Sequence, residues 1–294
     1  MNNYTSPIIY GEVLFDCFHD GSKILGGAPF NVAWHCQAFG LNPLFISRVG
    51  EDELGRTIIS AMEEWGMDTQ GVQLDNSHKT GIVDVTFDQG EPSYSIIENS
   101  SWDFIDHKLT PEIQDYNFLY HGSLALRNDV SEKSLESLTK INCHSIFVDI
   151  NIRPPWWDIQ KIKLILQSAR WVKLNKDELS LLVPQENDIA VQARQIIRDY
   201  KPDLVIVTMG EEGALAVNAD EIISIKPDSA TNVIDTVGAG DAFASVLMLG
   251  IYKGWSLKIM LQRAQQFAGK VVGLRGATTK DKAFYQTFIS HWSL

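Results

Sequence analysis

The sequence predicts an α/β fold, with a mostly parallel sheet covered on both faces and a small second sheet. Three observations predict it. From residue 117 onward, short apolar runs at 118–122, 145–150, 171–174 and 204–208 alternate with helical stretches at 132–139, 159–167 and 190–199. Short buried strands separated by helices imply a parallel sheet, whose ligands bind beyond the strand C-termini. Residues 80–104 behave differently: they alternate apolar and polar in two runs around Gln89-Gly90-Glu91-Pro92, like a hairpin with one wet face. Third, the glycine-rich stretch Asp235-Thr236-Val237-Gly238-Ala239-Gly240-Asp241 opens the apolar helical run 242–250.

Taken in order, residues 8–15 read as a first strand that ends at Asp16. Gly26-Gly27-Ala28-Pro29 opens a helix running to Phe39, with Pro29 suited to a first turn. Residues 44–55 read as a strand, a turn and the start of a helix that runs from about 53 to 65. After the alternating 80–104 segment and the strand–helix repeats, a strand-like run at 221–226 precedes the glycine stretch. A helix with small residues Ala264 and Ala268 spans 257–272 and leads into Gly273-Leu274-Arg275-Gly276-Ala277.

The chain has 294 residues, of which 45% are hydrophobic, enough to bury the core of one large domain. A formal net charge of −12 argues against a nucleic-acid or anionic-membrane surface, yet not against a nucleotide held by amides and a metal. Cys17, Cys36 and Cys143 are far apart in sequence, which fits a reducing cytoplasmic setting without a disulfide framework or a zinc site. No leader pattern, membrane-length apolar run or internal repeat is visible. Isolated histidines such as His35 and His144 read as structural.

The glycine stretch carries the chemistry. The first amides of a helix lack internal partners and attract anions, and glycines let backbone approach a ligand closely. Asp241 sits at that helix mouth, where a carboxylate is stabilised and ionised. An anion cradle beside an ionised carboxylate suits phosphoryl transfer to a hydroxyl. The alternative is a plain Asp-capped helix after a glycine turn. A match at all six specified positions arises by chance about once in ten million starting points, which tells against that alternative.

This stretch resembles the C-terminal signature of the ribokinase-like (PfkB) sugar kinases, and the resemblance extends from Ile8 to about Ala277. It implies a doubly wound ribokinase-like domain over residues 1–294, with an inserted lid formed by about 12–25 and 80–104. It implies that Asp241 is the catalytic base and that the amides of Gly238, Ala239 and Gly240 form the anion hole. Gly-Gly-x-x-x-Asn-x-Ala at 26–33 is similar to the family's sugar-site motif. That similarity implies sugar contacts from Gly27, Asn31 and Asp16. Asp149-Ile150-Asn151-Ile152-Arg153, with Trp157 beyond, resembles a segment of bacterial fructokinases; there Arg153 would steady the transferred phosphoryl, the alternative being a surface ion pair. Asn175 and Glu178 match an Asn-x-x-Glu motif whose Glu organises magnesium through water, although a capped helix start looks the same. Thr208, Gly210 and Gly213 match a turn at the nucleotide phosphates. Asp235 and the 273–277 segment would help hold a monovalent cation such as K⁺. The Gly-x-Val-Gly-x-Asp region, with Ser47 where glycine is usual, reads as structural.

The activity the resemblance implies is ATP- and Mg²⁺-dependent phosphorylation of a neutral monosaccharide, with fructose giving fructose 6-phosphate as the expected reaction. A ribokinase, a 2-keto-3-deoxygluconate kinase, a nucleoside kinase of the same fold and a catalytically silent sugar-binding regulator are the alternatives. The lid stretch holds Asp84, Asp88, Glu91, Glu98 and Asp103 and no Lys or Arg, so the balance favours a neutral acceptor. Lys23 and Arg127 are the cations that could reverse that argument. Val83, Val85 and Phe87 should share one side of a lid strand that packs on the core or on a second subunit, hence an expected homodimer.

Overall fold

Described residues of the computed structural model are 5–88, 91–113, 116–140, 145–227 and 233–294, with backbone alone at 87–88 and 91–93. The chain opens with β1 (Ile8–Tyr10), β2 (Leu14–Phe18), β3 (Lys23–Gly26), α1 (Ala28–Ala38), β4 (Leu44–Gly50), α2 (Glu53–Trp65) and β5 (Val72–Asp75). The hairpin strands β6 (Gly81–Asp88) and β7 (Glu91–Ile96) follow, then β8 (Leu119–His121), α3 (Asp129–Thr139), β9 (Ile146–Asp149), α4 (Ile159–Ser168) and β10 (Trp171–Asn175). Next come α5 (Lys176–Leu182), α6 (Ile189–Tyr200), β11 (Leu204–Thr208), β12 (Ala214–Asn218), β13 (Ile222–Ile225), α7 (Ala239–Lys253), α8 (Leu257–Val271) and α9 (Lys282–Trp292).

The large sheet has the order β13-β12-β11-β10-β9-β8-β1-β4-β5. Pairing is parallel from β11 to β5, and β12 and β13 add an antiparallel edge. Helices α1, α2, α7, α8 and α9 cover one face, and α3, α4, α5 and α6 cover the other. The chain leaves β1 toward β4 and β5, then returns to β8 on β1's other side. That reversal opens a crevice at the strand C-termini. The doubly wound expectation therefore holds. Helix α7 is buried continuously from Ala242 to Gly250 and packs between α1 and α8. Truncating a side chain such as Phe243 to alanine there would cost about 3–5 kcal/mol.

The 8–15 run is the main departure from expectation. It is two strands in two sheets, and Asp16 lies within β2 rather than at the end of β1. Gly11, at φ +150°, makes the break: a Cβ there would sit 2.3 Å from Pro29 Cγ, so only glycine lets the chain pass the start of α1. The chain thereby crosses from the large sheet into the second one, ordered β3-β2-β6-β7.

In that second sheet Val83 and Val85 are buried while Asp84 and Thr86 are exposed, the alternation expected of a sheet with one wet face. On that buried side Val83 and Val85 cluster with Leu14, Phe18 and Ile96 of the same sheet, and Leu14, Val83 and Ile96 border the cleft described below. The Phe87, Asp88 and Glu91 side chains, the Gln89-Gly90 turn, Cys143 and His144 lie outside the described residues. Cys17 and Cys36 are free thiols. His35 is structural: its ring is buried between Tyr285 Oη at 2.9 Å and the Ala277 carbonyl at 3.1 Å. Asp52 caps α2 and also receives Thr80, in keeping with a structural reading of that region. Among the described residues no helix is long and apolar enough to cross a membrane.

Candidate active site

A cleft of about 480 Å³ opens where the strand C-termini face the small sheet. Its floor comes from the ends of β9, β10 and β11, through Asp149, Lys173, Asn175 and Thr208. One wall is the start of α1, with Gly26, Gly27 and Asn31, and another is the mouth of α7, with Gly238, Gly240 and Asp241. Leu14, Asp16, Ile24, Val83, Tyr94 and Ile96 roof it from the small sheet.

Asp241 lies in the first turn of α7, and its Oδ2 accepts a 2.8 Å hydrogen bond from Asn31 Nδ2. Burial pushes its carboxyl up to about 6; Asn31, Lys173 and Arg153 pull the other way, and Asp149 adds to the rise. The helix mouth alone suggested a carboxylate with an ordinary or lowered pKa, and burial reverses that. Asn31 is itself buried, and its Oδ1 has no partner. A buried acceptor beside a carboxyl group is a place for a hydroxyl.

Gly238 adopts φ +78°, and a Cβ there would lie 2.2 Å from Ala277 Cβ, so the 277 backbone closes directly on the helix mouth. The three amides expected to form the anion hole are not equivalent. The Ala239 amide donates to the Thr236 carbonyl at 3.3 Å. Those of Gly240 and Asp241 have no acceptor among the described residues, as the second and third amides of a helix should. Gly240 faces Lys173: a Cβ on Gly240 would stand 3.4 Å from the Lys173 ammonium. The buried Lys173 in turn donates to both oxygens of Asp149, at 2.9 and 2.8 Å, and Tyr120 Oη donates to the same carboxylate at 3.2 Å. A fixed cation thus stands beside the open helix end.

Arg153 reaches the cleft from the loop after β9. Its guanidinium donates to the Ile152 carbonyl at 3.4 Å and joins no ion pair among the described residues, so the surface-pair alternative is not realised. Asn175 and Glu178 form the reciprocal capping box of α5: Asn175 Oδ1 accepts from the Glu178 amide, and Glu178 Oε2 accepts from the Asn175 amide, each at 2.8 Å. Glu178 Oε1 also accepts from the Ile152 amide at 2.7 Å, tying the Arg153 loop to the start of α5. The cap is real, and the same buried carboxylate still borders the cleft, with burial as the main force raising its pKa. Among the described residues no group of three acidic, Cys or His side chains could by itself hold a metal.

Thr208 borders the cleft, whereas Gly210 and Gly213 lie in the turn beyond it. A Cβ on Gly213 would fall 2.0 Å from the Ile225 carbonyl, so packing of β13 accounts for that glycine. Asp235 braces the turn before α7 by accepting from the Val237 and Gly276 amides at 2.9 and 3.0 Å. Asp16 borders the cleft from the small sheet, and its carboxyl is pushed up to about 6 by burial and by Asp235, with Arg153 opposing.

Two expectations about charge change. The lid acids Asp84, Glu98 and Asp103 do not border the cleft. Arg127, one of the two cations held in reserve, is committed elsewhere: its fork grips both oxygens of Asp103 at 2.7 Å, and it lies 4.1 Å from the Trp102 ring centre and 4.7 Å from that of Trp156. Lys23 does not border the cleft. Asp16, Asp241 and Glu12 bring negative charge to the cleft instead. Glu12 and Lys173 are the residues that sequence reasoning passed over, each being one charged position inside an apolar run.

Residues 8–283 match the pfkB family of carbohydrate kinases, and the chain belongs to that family. It is 32% identical over 258 residues to a fructokinase of Salmonella typhimurium, covering 83% of each chain. It is also 27% identical over 263 residues to an ATP-dependent 6-phosphofructokinase of Thermoanaerobacterium thermosaccharolyticum, covering 86% of this chain and 80% of the other. Among solved structures, a fructokinase of Vibrio cholerae O395 bound to fructose, ADP and calcium superposes with a TM-score of 0.81 at 26% identity, over 96% of this chain and 98% of that one.

Proposed function

We propose that this carbohydrate kinase transfers the γ-phosphoryl of ATP to a hydroxyl of a neutral monosaccharide, with fructose giving fructose 6-phosphate as its reaction. The observation that carries the reading is Asp241 at the open mouth of α7, joined to Asn31 on the acceptor wall and flanked by Gly240 and Lys173.

In this reading the acceptor hydroxyl lies between Asn31 and Asp241. Asp241 takes its proton as the oxygen bonds to the γ-phosphorus, and the bond from that phosphorus to the bridging oxygen of ADP breaks. The amides of Gly240 and Asp241, with Lys173 and Arg153, hold the charge on the transferring group. ATP phosphates lie toward Asn175 and Thr208. Glu178 faces the cleft with hard oxygen ligands and fits Mg²⁺ held through water, the nucleotide phosphates supplying the remaining ligands. When bound, the metal neutralises phosphate charge. A monovalent cation near Asp235 would take mainly backbone carbonyls. Closure of the small sheet over the acceptor would exclude water.

Charge supports a neutral acceptor, because Glu12, Asp16 and Asp241 border the acceptor side, neither Arg127 nor Lys23 is available there, and Arg153, the unpaired cation near all three, is assigned in this reading to the transferring phosphoryl. A nucleoside would call for an aromatic clamp, and Tyr94 is the lone aromatic among the described residues bordering the cleft. Ribose is the nearest competitor. The fructose assignment leans on relatives whose names include fructokinase, and a related 6-phosphofructokinase keeps the phosphorylated acceptor in the comparison. The test is an ADP-release assay over fructose, ribose, fructose 6-phosphate and 2-keto-3-deoxygluconate. The reading expects the highest kcat/KM for fructose. A higher value for either anionic acceptor defeats the charge argument, and a higher value for ribose defeats only the choice of sugar.

A further inference from the structure

Glu12 occupies the short crossing between β1 and β2. It is 2% exposed and borders the cleft, and its Oε2 has no hydrogen-bond partner. Its position is fixed by the backbone around it. Gly27, at φ +107°, packs so close that a Cβ there would lie 2.7 Å from the Glu12 carbonyl, which locks the crossing against the start of α1. Burial pushes the Glu12 carboxyl up to about 7, with Arg153 and Arg127 drawing it down and Asp241 driving it up. Arg127, the buried cation of that set, already has its fork on Asp103. An unpaired carboxyl oxygen in a buried wall is costly unless a ligand satisfies it.

We propose that Glu12 is a hydroxyl-binding residue of the acceptor subsite and that its carboxylate selects against acceptors bearing phosphate or carboxylate. This rests on the reading of the cleft as the site of a neutral sugar. A sugar hydroxyl can donate to Oε2, whereas an anionic group offers no proton and meets Glu12, Asp16 and Asp241 together, Arg153, the cation that also faces Glu12, being assigned to the transferring phosphoryl. Asn31 Oδ1, the other unpartnered acceptor of the cleft, belongs to the same subsite.

The test compares wild type with Glu12→Gln and Glu12→Asp at pH 8, where the carboxylate prevails. The measurements are KM and kcat for fructose, calorimetric Kd for ATP, and the ratio of kcat/KM for fructose 6-phosphate over fructose. Glu12→Gln is expected to raise KM for fructose about tenfold, the scale of one hydrogen bond to a charged group, and to raise the anion-to-neutral ratio about tenfold. ATP affinity should be unchanged. Glu12→Asp shortens the reach but keeps the charge, so KM should rise while the ratio stays put. A merely structural Glu12 would leave the ratio where it was in both variants. An active wild type whose KM and ratio move less than about twofold in Glu12→Gln overturns this inference alone. If that variant does not fold, an unchanged KM in Glu12→Asp overturns it instead. A wild type that turns over no neutral sugar removes the underlying reading and this inference with it.

Discussion

Asn31 and Asp241, 210 positions apart in the chain, meet through a 2.8 Å hydrogen bond from Asn31 Nδ2 to Asp241 Oδ2. Each lies in the opening turns of its helix, α1 and α7, and those helices pack together. One amide side chain therefore orients the proposed base with its nitrogen and presents its free oxygen to the cleft. Asn31→Leu keeps the volume and removes both contacts. It should lower kcat/KM by ~10²-fold, with part of the loss in kcat, since a misaligned base is also a weaker one. A pure KM effect would mean that Asn31 only binds sugar.

The pH dependence of turnover follows from burial of Asp241. With its carboxyl at about 6 in place of the usual 3.8, kcat should be level above pH 7 and fall as the pH drops through about 6. Asp16 titrates in the same range and, in the proposed reading, belongs to acceptor binding, so it should shape KM. A pH–rate series on wild type and Asp16→Asn checks this. The acid limb of kcat should survive in the variant. A limb near 4 in wild type would mean that Asp241 is not desolvated as the structure has it.

The same shift bears on stability. A carboxyl whose pKa is higher folded than unfolded makes the folded state hold its proton more tightly. Ionisation therefore destabilises the fold above about pH 6, and the penalty fades as the pH falls to about 4. Asp241→Asn should accordingly raise Tm at pH 7.5 and leave it near wild type at pH 4. Thermal unfolding at the two pH values reads this directly. A lower Tm at pH 7.5 would contradict it.

Much of the architecture was legible in the sequence because local signals agreed with tertiary ones. Helix α2 combines an Asp52 cap, a buried face of Ile58, Ala61, Met62 and Trp65 at helical spacing, and a left-handed Gly66 stop, so both of its ends could be read. Strands β5, β3 and β12 were not legible. β3 exists through pairing with β2, and Ala214–Asn218 has little β-propensity of its own and is a strand because β11 and β13 flank it. In the candidate site, the 235–241 stretch stands out by its six specified positions, and Asn31 is legible only through the resemblance of 26–33 to a family motif. Glu12 and Lys173 are not legible, since what marks them is an unpartnered oxygen and a buried ion pair, which only packing creates.

Two glycines of the helix mouth should respond differently to alanine. At Gly238 a methyl collides with Ala277 and the backbone is left-handed, so Gly238→Ala should lower Tm and abolish turnover together. At Gly240 the methyl has room, 3.4 Å from the Lys173 ammonium, so Gly240→Ala should fold normally and bind sugar, yet lose turnover. Calorimetry with sugar and with ATP decides it. If Gly240→Ala lost sugar and kept ATP, the loop would face the acceptor and not the phosphates.

The Lys173–Asp149 pair is buried on both sides, so removing one partner strands the other charge. Asp149→Asn should cost about 3 kcal/mol or more in stability and leave Lys173 free to drift from the helix mouth, lowering kcat as well. Denaturant unfolding of the variant measures the first effect, and steady-state turnover the second. Wild-type stability would mean that water solvates this ammonium.

The most direct measurement of the central claim is kcat for Asp241→Asn with ATP and fructose, made on protein whose calorimetric affinities for both ligands match wild type. The account predicts a fall of at least ~10²-fold, the usual scale for loss of a general base. A variant turning over within about tenfold of wild type would contradict it and remove Asp241 from that role.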